Sequence, residues 1–307
     1  MKIQTFSIVV GTRACNARCP FCVSHMTGFA ELPKRGDVHA GNFMKACRLG
    51  QLAGTTTVLM TSKGEPTLYP TEIGEYLQLL GEWQFPFIEL QTNALDIGRL
   101  AAGDNAAVQA RGLTRTTLQA WRGAGLNTIA ISVVDVEPGP NRRVYLDGEG
   151  EYPDLARTVG YLHETGFTVR LCVMMQQGAV CTSTDVERVI AFCKAHQVEQ
   201  LTIRPIRKPE RTSGLLLTTA RYVETHGLDK EQITDVRDHV KKCGTRLLSL
   251  MHGAEVYDVD GQNVCLSDCL TVNQAEDGDN IRTLIFYSDG RLTYDWQHPG
   301  AVLLGGR

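Results

Sequence analysis

Short apolar runs alternate along the chain with longer stretches whose apolar residues recur at helical spacing. The apolar runs predict strands at 6–10, 56–62, 87–93, 128–134, 168–175 and 200–206. The helical spacing predicts helices at 42–54, 70–83, 117–125, 153–166, 184–197 and near 230–242. Nearly continuous apolar strands separated by helices are typical of a parallel sheet covered by helices. Six such units can form an open sheet or a partial barrel.

Other segments depart from this alternation. Residues 95–115 carry no predicted element, and residues 135–151 predict a loop because they contain Pro138, Pro140 and several glycines. After about residue 244 the pattern predicts hairpins, with turns at 260–261 and 289–290, each an Asp-Gly pair. The ligand site of a parallel sheet lies at the carboxyl ends of its strands.

The composition is ordinary for a soluble globular protein, with 307 residues, 43% hydrophobic and 21% charged. The formal net charge of −3 and the lack of a long basic run argue against strong nonspecific nucleic-acid binding, although a local basic groove stays compatible with them. The apolar run at 6–10 is too short for a signal peptide or a membrane span. Ten cysteines, mostly scattered, do not form a secreted disulfide framework. We therefore expect a cytoplasmic protein without a membrane partner.

Three cysteines follow the first predicted strand in the sequence CNARCPFC, at C-x3-C-x2-C spacing: Cys15, Cys19 and Cys22. We call residues 11–22 the cysteine loop. With His25 as a fourth ligand, the loop would suit a structural zinc ion, in a binding module without chemistry. An iron–sulfur cube normally takes four cysteines, so three would leave one iron open to a small molecule.

This motif resembles the signature loop of the radical S-adenosylmethionine (SAM) enzymes. The resemblance implies that Cys15, Cys19 and Cys22 hold a [4Fe–4S] cluster whose fourth iron is chelated by SAM. It also implies that Phe21 lies near the adenine and that the fold is α/β, a partial (β/α)6 barrel with parallel strands. Residues 1–210 would then form the barrel core, and residues 211–307 a last helix and a β-rich segment covering the barrel mouth.

The stretch SKGEPTLYP, residues 62–70, follows the second strand and resembles the Gly-Gly-Glu-Pro motif of the same enzymes. Gly64, Glu65 and Pro66 match, which implies contacts with the SAM amino group. Lys63 departs from the motif, where the family has glycine, and places a charge next to the expected cofactor. It would reach the SAM carboxylate or the substrate, or point outward. A carboxylate at a helix start is the alternative interpretation of Glu65, since it would be favourable there without any ligand.

The resemblance also implies cofactor contacts at the ends of later strands, from position rather than from a motif. These residues are Asn93, Ser132, Arg170, Arg204 and Ile206. The implied reaction is reductive cleavage of SAM to a 5′-deoxyadenosyl radical, which abstracts hydrogen from a small-molecule or nucleotide-type substrate. A peptide or a base within nucleic acid is the alternative substrate. An electron donor such as flavodoxin or ferredoxin is the implied partner.

Further residues allow two interpretations each. Cys243, Cys265 and Cys269 would hold a second iron–sulfur cluster, or Cys265 is a small buried hydrophobe. Arg142 and Arg143 would bind an anionic substrate or the SAM carboxylate, or are solvated loop residues. The segment of Tyr294, Asp295 and Trp296 would close the pocket, or is an ordinary strand end. We expect Cys47, Cys172 and Cys193 to lie in the core.

Overall fold

The computed structural model of the chain describes residues 1–26, 32, 38–209, 217–268, 278 and 280–306. The strands are β1 (Ile3–Val9), β2 (Thr57–Thr61), β3 (Phe87–Thr92), β4 (Thr128–Val133), β5 (Thr168–Met175), β6 (Gln200–Pro205), β7 (Thr245–Ser249), β8 (Glu255–Val259), β9 (Gln262–Leu266), β10 (Ile281–Tyr287), β11 (Leu292–Thr293) and β12 (Val302–Leu304). The helices are α1 (Val23–Met26), α2 (Ala40–Leu52), α3 (Pro70–Leu80), α4 (Leu95–Ala102), α5 (Ala106–Gln109), α6 (Arg115–Gly123), α7 (Pro138–Leu146), α8 (Leu155–Glu164), α9 (Ser183–Ala195), α10 (Leu217–His226) and α11 (Lys230–Cys243).

The sheet confirms the predicted α/β class and its parallel core. Its strand order is β12-β11-β10-β1-β2-β3-β4-β5-β6-β9-β8-β7, and β1 to β6 run parallel in sequence order. Among the described residues no ladder joins β12 to β7, so the sheet is an open, partial barrel. The six predicted strands of the core are all confirmed.

The C-terminal strands extend both edges of this sheet. β10 pairs parallel with β1, and β9 pairs parallel with β6. β11 and β12 continue one edge as antiparallel strands, and β8 and β7 continue the other. Both predicted hairpins are confirmed, since the β8–β9 turn lies at 260–261 and the β10–β11 turn contains residues 289–290.

The two faces of the sheet differ in character. Alternate strand residues such as Phe6, Ile8 and Val10 are buried in the main core, which also takes in buried residues of the surrounding helices. Side chains alternate between faces along a strand, so the residues between them face the interior of the barrel. That interior carries polar groups, among them Ser7 and Thr283, whose hydroxyls lie 2.9 Å apart. Cys47, Cys172 and Cys193 are buried, which confirms the expectation that they lie in the core.

The loop predicted over residues 135–151 is wrong, because residues 138–146 form α7. Pro138 lies at the first helical positions, where the missing N–H has no intrahelical acceptor, so proline begins the helix rather than breaking it. Asn141 then fastens the helix to β4. Its side chain accepts from the Val134 N–H at 2.9 Å and donates to the Asp135 carbonyl at 2.6 Å.

The stretch 95–115, left without an element in the sequence, contains α4 and α5. Asp96 stabilises this pair of helices, because its fully buried carboxylate pairs with Arg99 at 3.1 Å and with Arg111 at 2.5 Å. The pairing joins α4 to the turn after α5. No helix of the described residues combines the length and the apolarity that crossing a membrane requires.

An aromatic cluster joins the C-terminal strand β10 to the N-terminal half of the barrel. Phe286 lies 5.1 Å from the Phe43 ring, which also contacts Tyr76 at 5.2 Å. All three rings are fully buried. We predict that Phe286→Ala lowers the free energy of unfolding by about 3–5 kcal/mol, because the ring fills a core shared by both halves. Urea unfolding would measure it.

The matched control is Leu303→Ala on β12, where the side chain is 42% exposed. This change should alter the free energy of unfolding by less than about 0.5 kcal/mol. If Phe286→Ala were as mild as the control, β10 would not be an integral part of the barrel.

Candidate active site

The cysteine loop leaves β1 through a glycine that no other residue replaces without strain. Gly11 has φ of +68°, and a Cβ there would lie 2.2 Å from the Tyr69 ring. Its N–H donates to the Glu72 carboxylate at 3.0 Å, and the hydroxyls of Thr12 and Tyr69 lie 2.5 Å apart. The start of the loop is therefore fixed against the segment that follows β2.

The middle of the cysteine loop lies directly on the motif after β2. The Glu65 N–H donates to the Ala14 carbonyl at 2.9 Å. A Cβ at Gly64 would lie only 2.0 Å from the same carbonyl oxygen. Glycine is therefore required by the close approach of two backbones, which gives a physical reason for the predicted Gly-Glu-Pro match.

The Glu65 carboxylate joins three segments from a buried position. Its Oε1 accepts from the Thr67 N–H at 3.0 Å, the Thr67 hydroxyl at 2.7 Å and the Thr92 hydroxyl at 2.6 Å, while Oε2 accepts from the Asn93 N–H at 3.0 Å. Burial raises the pKa of Glu65, and these hydrogen bonds oppose the rise. The bond to the Thr67 N–H also caps the short 3-10 turn Pro66–Leu68, as the alternative interpretation of a helix-start carboxylate expected.

Asn93, directly after β3, connects the Glu65 carboxylate to the cysteine loop. Its side-chain amide donates to Asn16 Oδ1 at 2.8 Å and lies 3.9 Å from Cys15 Sγ. The carboxyl ends of β1, β2 and β3 therefore meet at one place, as the parallel sheet predicts. Three of the predicted site residues, Cys15, Glu65 and Asn93, are brought together there.

The three thiols of the cysteine loop influence one another. Burial raises the pKa of Cys15 to about 11 and holds the pKa of Cys19 well above its usual value, and Cys22 contributes to both shifts. A metal centre would displace these protons on binding. Among the described residues no three His, Cys, Asp or Glu side chains form a site for a single metal ion, and His25 is exposed. A cube, unlike one zinc ion, binds each thiolate at a separate iron.

Lys63 lies buried between the cysteine loop and the C-terminal segment. Its ammonium group is 5.1 Å from the centre of the Trp296 ring. Burial, followed by the positive charge of Arg13, lowers the pKa of Lys63 to about 8, while Cys22 opposes the shift. Of the three residues predicted to close the pocket, Trp296 is therefore the one that contacts the cofactor motif. Tyr294 is 43% exposed, and Asp295 accepts hydrogen bonds from the N–H groups of residues 297 and 298.

A small apolar cluster brings together Phe21 and Ile206, two residues predicted to lie by the adenine. Tyr145 of α7 belongs to the same cluster, and its carbonyl accepts from the Arg18 N–H at 2.9 Å. The Tyr145 hydroxyl is buried and has no hydrogen-bond partner within the described residues. Tyr145 was missed in the sequence because its segment was interpreted as a loop.

The remaining predicted cofactor residues line the barrel interior. Ser132 on β4 is level with Cys172 on β5. Arg170 forms an ion pair with Glu89 of β3, across the intervening strand β4. No partner was predicted for Arg170. The sequence hints at a role for Glu89 only because it is a charged residue within an otherwise apolar strand. Arg204 lies further along the sheet, on β6.

Other candidates lie outside this cluster of residues. Arg142 and Arg143 are exposed on α7, and Arg143 donates to the Gly178 carbonyl at 3.1 Å. Cys243 is exposed at the end of α11, and Cys265 lies on β9. Cys269 lies outside the described residues, so a second cluster stays a prediction.

A profile of the radical SAM superfamily matches residues 9–178 of the chain, which is more than half of it. The chain belongs to the radical SAM superfamily. It is therefore an enzyme, and its cofactors are a [4Fe–4S] cluster and SAM. The interpretation as a zinc-stabilised binding module is accordingly set aside.

Several solved structures are similar to the chain at low sequence identity. Methylornithine synthase is 13% identical, with a TM-score of 0.51 over 89% of this chain and 74% of that chain. Coproporphyrinogen III oxidase from Escherichia coli is 15% identical, with a TM-score of 0.45 over 80% of this chain and 54% of that one. A radical SAM methyltransferase from Sphaerobacter thermophilus is 15% identical, with a TM-score of 0.48 over 85% and 66%. No curated protein matches the chain.

The residues present fit a radical SAM cofactor set. Three thiols in one loop would supply three iron ligands, and a buried Asn16 amide nitrogen without a partner among the described residues lies in the same loop. The fit therefore rests on the three thiols and on the polar group beside them.

The contact between Gly64 and Ala14 generates a prediction. Gly64→Ala should lower the free energy of unfolding by about 1–3 kcal/mol, because the two backbones must separate to admit the methyl group. It should also lower the iron bound after anaerobic reconstitution, because the cysteine loop loses its support. Urea unfolding and iron analysis measure the two effects.

Gly123→Ala is the matched control, because nothing lies within 4 Å of a Cβ at that helical position. Alanine should stabilise this helix by about 0.5–1 kcal/mol and leave iron binding unchanged. Full iron binding and unchanged stability in Gly64→Ala would show that the contact does not support the loop.

Proposed function

We propose that Cys15, Cys19 and Cys22 hold the [4Fe–4S] cluster and that the barrel interior holds a small-molecule or nucleotide-type substrate. When bound, the cluster supplies one electron that cleaves SAM, and the resulting 5′-deoxyadenosyl radical abstracts a hydrogen atom from the substrate. The observation that carries the proposal is the meeting of the cysteine loop with Glu65 and Asn93 at the carboxyl ends of β1 to β3.

The protein's own part in this reaction begins with a fixed loop. Hydrogen bonds from Glu65 and Arg18 hold the loop backbone on both sides, to Ala14 and to Tyr145. A loop held in this way gives the thiolates fixed positions, so little reorganisation is needed when the cofactor binds. Glu65 acts through these contacts, since four donors already bind its carboxylate.

We assign Lys63 to binding the carboxylate of SAM. Its ammonium group lies in the motif next to the cysteine loop, and burial strengthens its attraction for an anion. Phe21 and Ile206 suit the adenine, because they share one apolar cluster beside the loop.

The barrel interior suits a small substrate held away from water. A primary carbon radical reacts with most organic molecules, so the target hydrogen must be close and solvent excluded. Side chains of the parallel strands line this interior, and Trp296 covers Lys63 at its edge. A reductant is required as well, and flavodoxin or ferredoxin chemistry supplies single electrons of this kind.

Cys22→Ala tests the ligand assignment. The wild-type protein should bind about four irons per chain after anaerobic reconstitution, and on reduction it should convert SAM to 5′-deoxyadenosine. The variant should lose both properties, because one iron corner would have no thiolate. Iron and sulfide analysis and chromatography of the nucleoside products measure them.

Cys181→Ser is the control, because this free thiol lies just before α9 and belongs to neither group of candidate cluster ligands. It should keep the full iron content and SAM cleavage. A Cys22→Ala variant with full activity would show that the assignment is wrong, as would a wild-type protein that binds one zinc and leaves SAM intact.

Lys63→Gln tests the carboxylate assignment separately. We predict SAM binding about tenfold weaker, because a charge-assisted hydrogen bond is lost. Lys45→Gln, at an exposed position of α2, should bind SAM like the wild type. Equilibrium binding to the reconstituted protein measures the affinity. Equal affinity in Lys63→Gln would exclude Lys63 from the SAM site.

A further inference from the structure

The interior face of β6 carries polar side chains that point into the barrel. Thr202 and Arg204 alternate with Leu201 and Ile203, which are buried in the core shared with the helices. Thr202 is level with Cys172 on β5 and Cys265 on β9. These polar groups therefore face a volume bounded by three neighbouring strands.

Several donors facing this volume have no partner. The Arg204 Nε, the Arg170 Nε and the Thr202 hydroxyl are buried and make no hydrogen bond within the described residues. Thr202 is only 4% exposed. A buried donor without an acceptor costs free energy, and native proteins rarely leave several of them together. Three in one place indicate that an acceptor belongs there.

The same volume has an excess of positive charge. Arg170 is neutralised by Glu89, but Arg204 forms no ion pair with any described residue. Arg170, Arg204 and Arg282 each act on the Cys265 thiol, whose pKa burial raises and these charges lower. Arg170 and Arg204 therefore act on Cys265, which is level with Thr202, from the neighbouring strands β5 and β6. The buried Arg204 Nε–H lacks an acceptor within the described residues, so a bound anion would stabilise this arrangement.

The space lies next to the proposed cofactor site but deeper in the barrel. Ile206, in the apolar cluster with Phe21, is two residues beyond Arg204 on the same chain, which corresponds to about 7 Å along a strand. Met174, which packs against the same cluster, is the register partner of Arg204. A group bound at Arg204 would lie on the inner side of the adenine pocket, where a substrate must be.

We propose that Arg204, together with Thr202 and the Arg170 Nε–H, binds a carboxylate or phosphate group of the substrate. We call these residues the interior anion site. A guanidinium group offers two parallel N–H donors to either anion, and the threonine hydroxyl adds a third hydrogen-bond donor. The proposal rests on the proposed function, because it takes the barrel interior to be the place of the substrate. It assigns Arg204 to the substrate rather than to SAM.

Binding of simple anions to the reconstituted protein tests the interior anion site. The probes are inorganic phosphate and malonate, with malonamide as a neutral analogue, all titrated in the presence of SAM at constant ionic strength. Calorimetry should detect binding of at least one anion and none of malonamide. Tighter binding of phosphate would assign a phosphorylated substrate, and tighter binding of malonate a carboxylate.

Variants connect the binding to the named residues. Arg204→Gln should weaken binding of the preferred anion about tenfold or more, and Thr202→Val, which keeps the side-chain shape, should weaken it several-fold. Arg115→Gln removes an exposed guanidinium on α6 and should change nothing. Arg204→Lys keeps the charge without the planar fork and should bind with intermediate affinity, which guards against misfolding of the glutamine variant.

SAM affinity, measured on the same samples, separates the outcomes. Failure of the wild type to bind either anion, or equal anion binding in Arg204→Gln and Thr202→Val, would overturn the proposal. A parallel loss of SAM and anion affinity in Arg204→Gln would assign Arg204 to the cofactor and overturn it too. A wild type that binds anions through Arg204 but never cleaves SAM would refute the proposed function and leave the interior anion site standing.

Discussion

The close contact between Gly64 and Ala14 is the constraint on which the site depends. Two backbone segments from different β/α units approach so closely that no side chain fits between them. The hydrogen bond from Glu65 to Ala14 and the four bonds to the Glu65 carboxylate then fix three strand ends relative to one another. The cysteine loop has little secondary structure of its own, so its shape comes from these contacts.

The barrel separates two electrostatic environments along its axis. At the carboxyl ends of the strands, three thiols and a buried lysine lie around the expected cofactor position. Deeper inside, Glu89 offsets the charge of Arg170, whereas Arg204 forms no ion pair within the part of the chain that the structure describes. The cofactor and the substrate would thus be bound by different groups on the same strands, which keeps the reacting atoms close while each molecule has its own contacts.

The parallel core and the cysteine loop were predictable because their signals are local. The apolar runs mark the strands, and the spacing of the cysteines with Gly64, Glu65 and Pro66 marks the cofactor motif. The helix α7 was not predictable from composition, because Pro138 is compatible with a helix start and Asn141 docks the helix through tertiary hydrogen bonds.

Side-chain contacts between residues far apart in the chain could not be predicted from the sequence either. The pairing of Arg170 with Glu89 and the contact of Lys63 with Trp296 join residues 81 and 233 positions apart. Likewise, the parallel pairing of β9 and β10 with the two edges of the core follows from the completed sheet rather than from any turn signal. Strand patterns predict which face is buried but not which strand becomes the neighbour.

The central claim is that one iron of a cluster held by three cysteines binds SAM directly. Electron–nuclear double resonance on the reduced protein, with SAM carrying ¹⁵N in its amino group, tests this claim most directly. The account predicts a hyperfine coupling between the cluster and the labelled nitrogen, because that nitrogen would be an iron ligand. A cluster signal without such coupling, and unchanged by SAM, would contradict it.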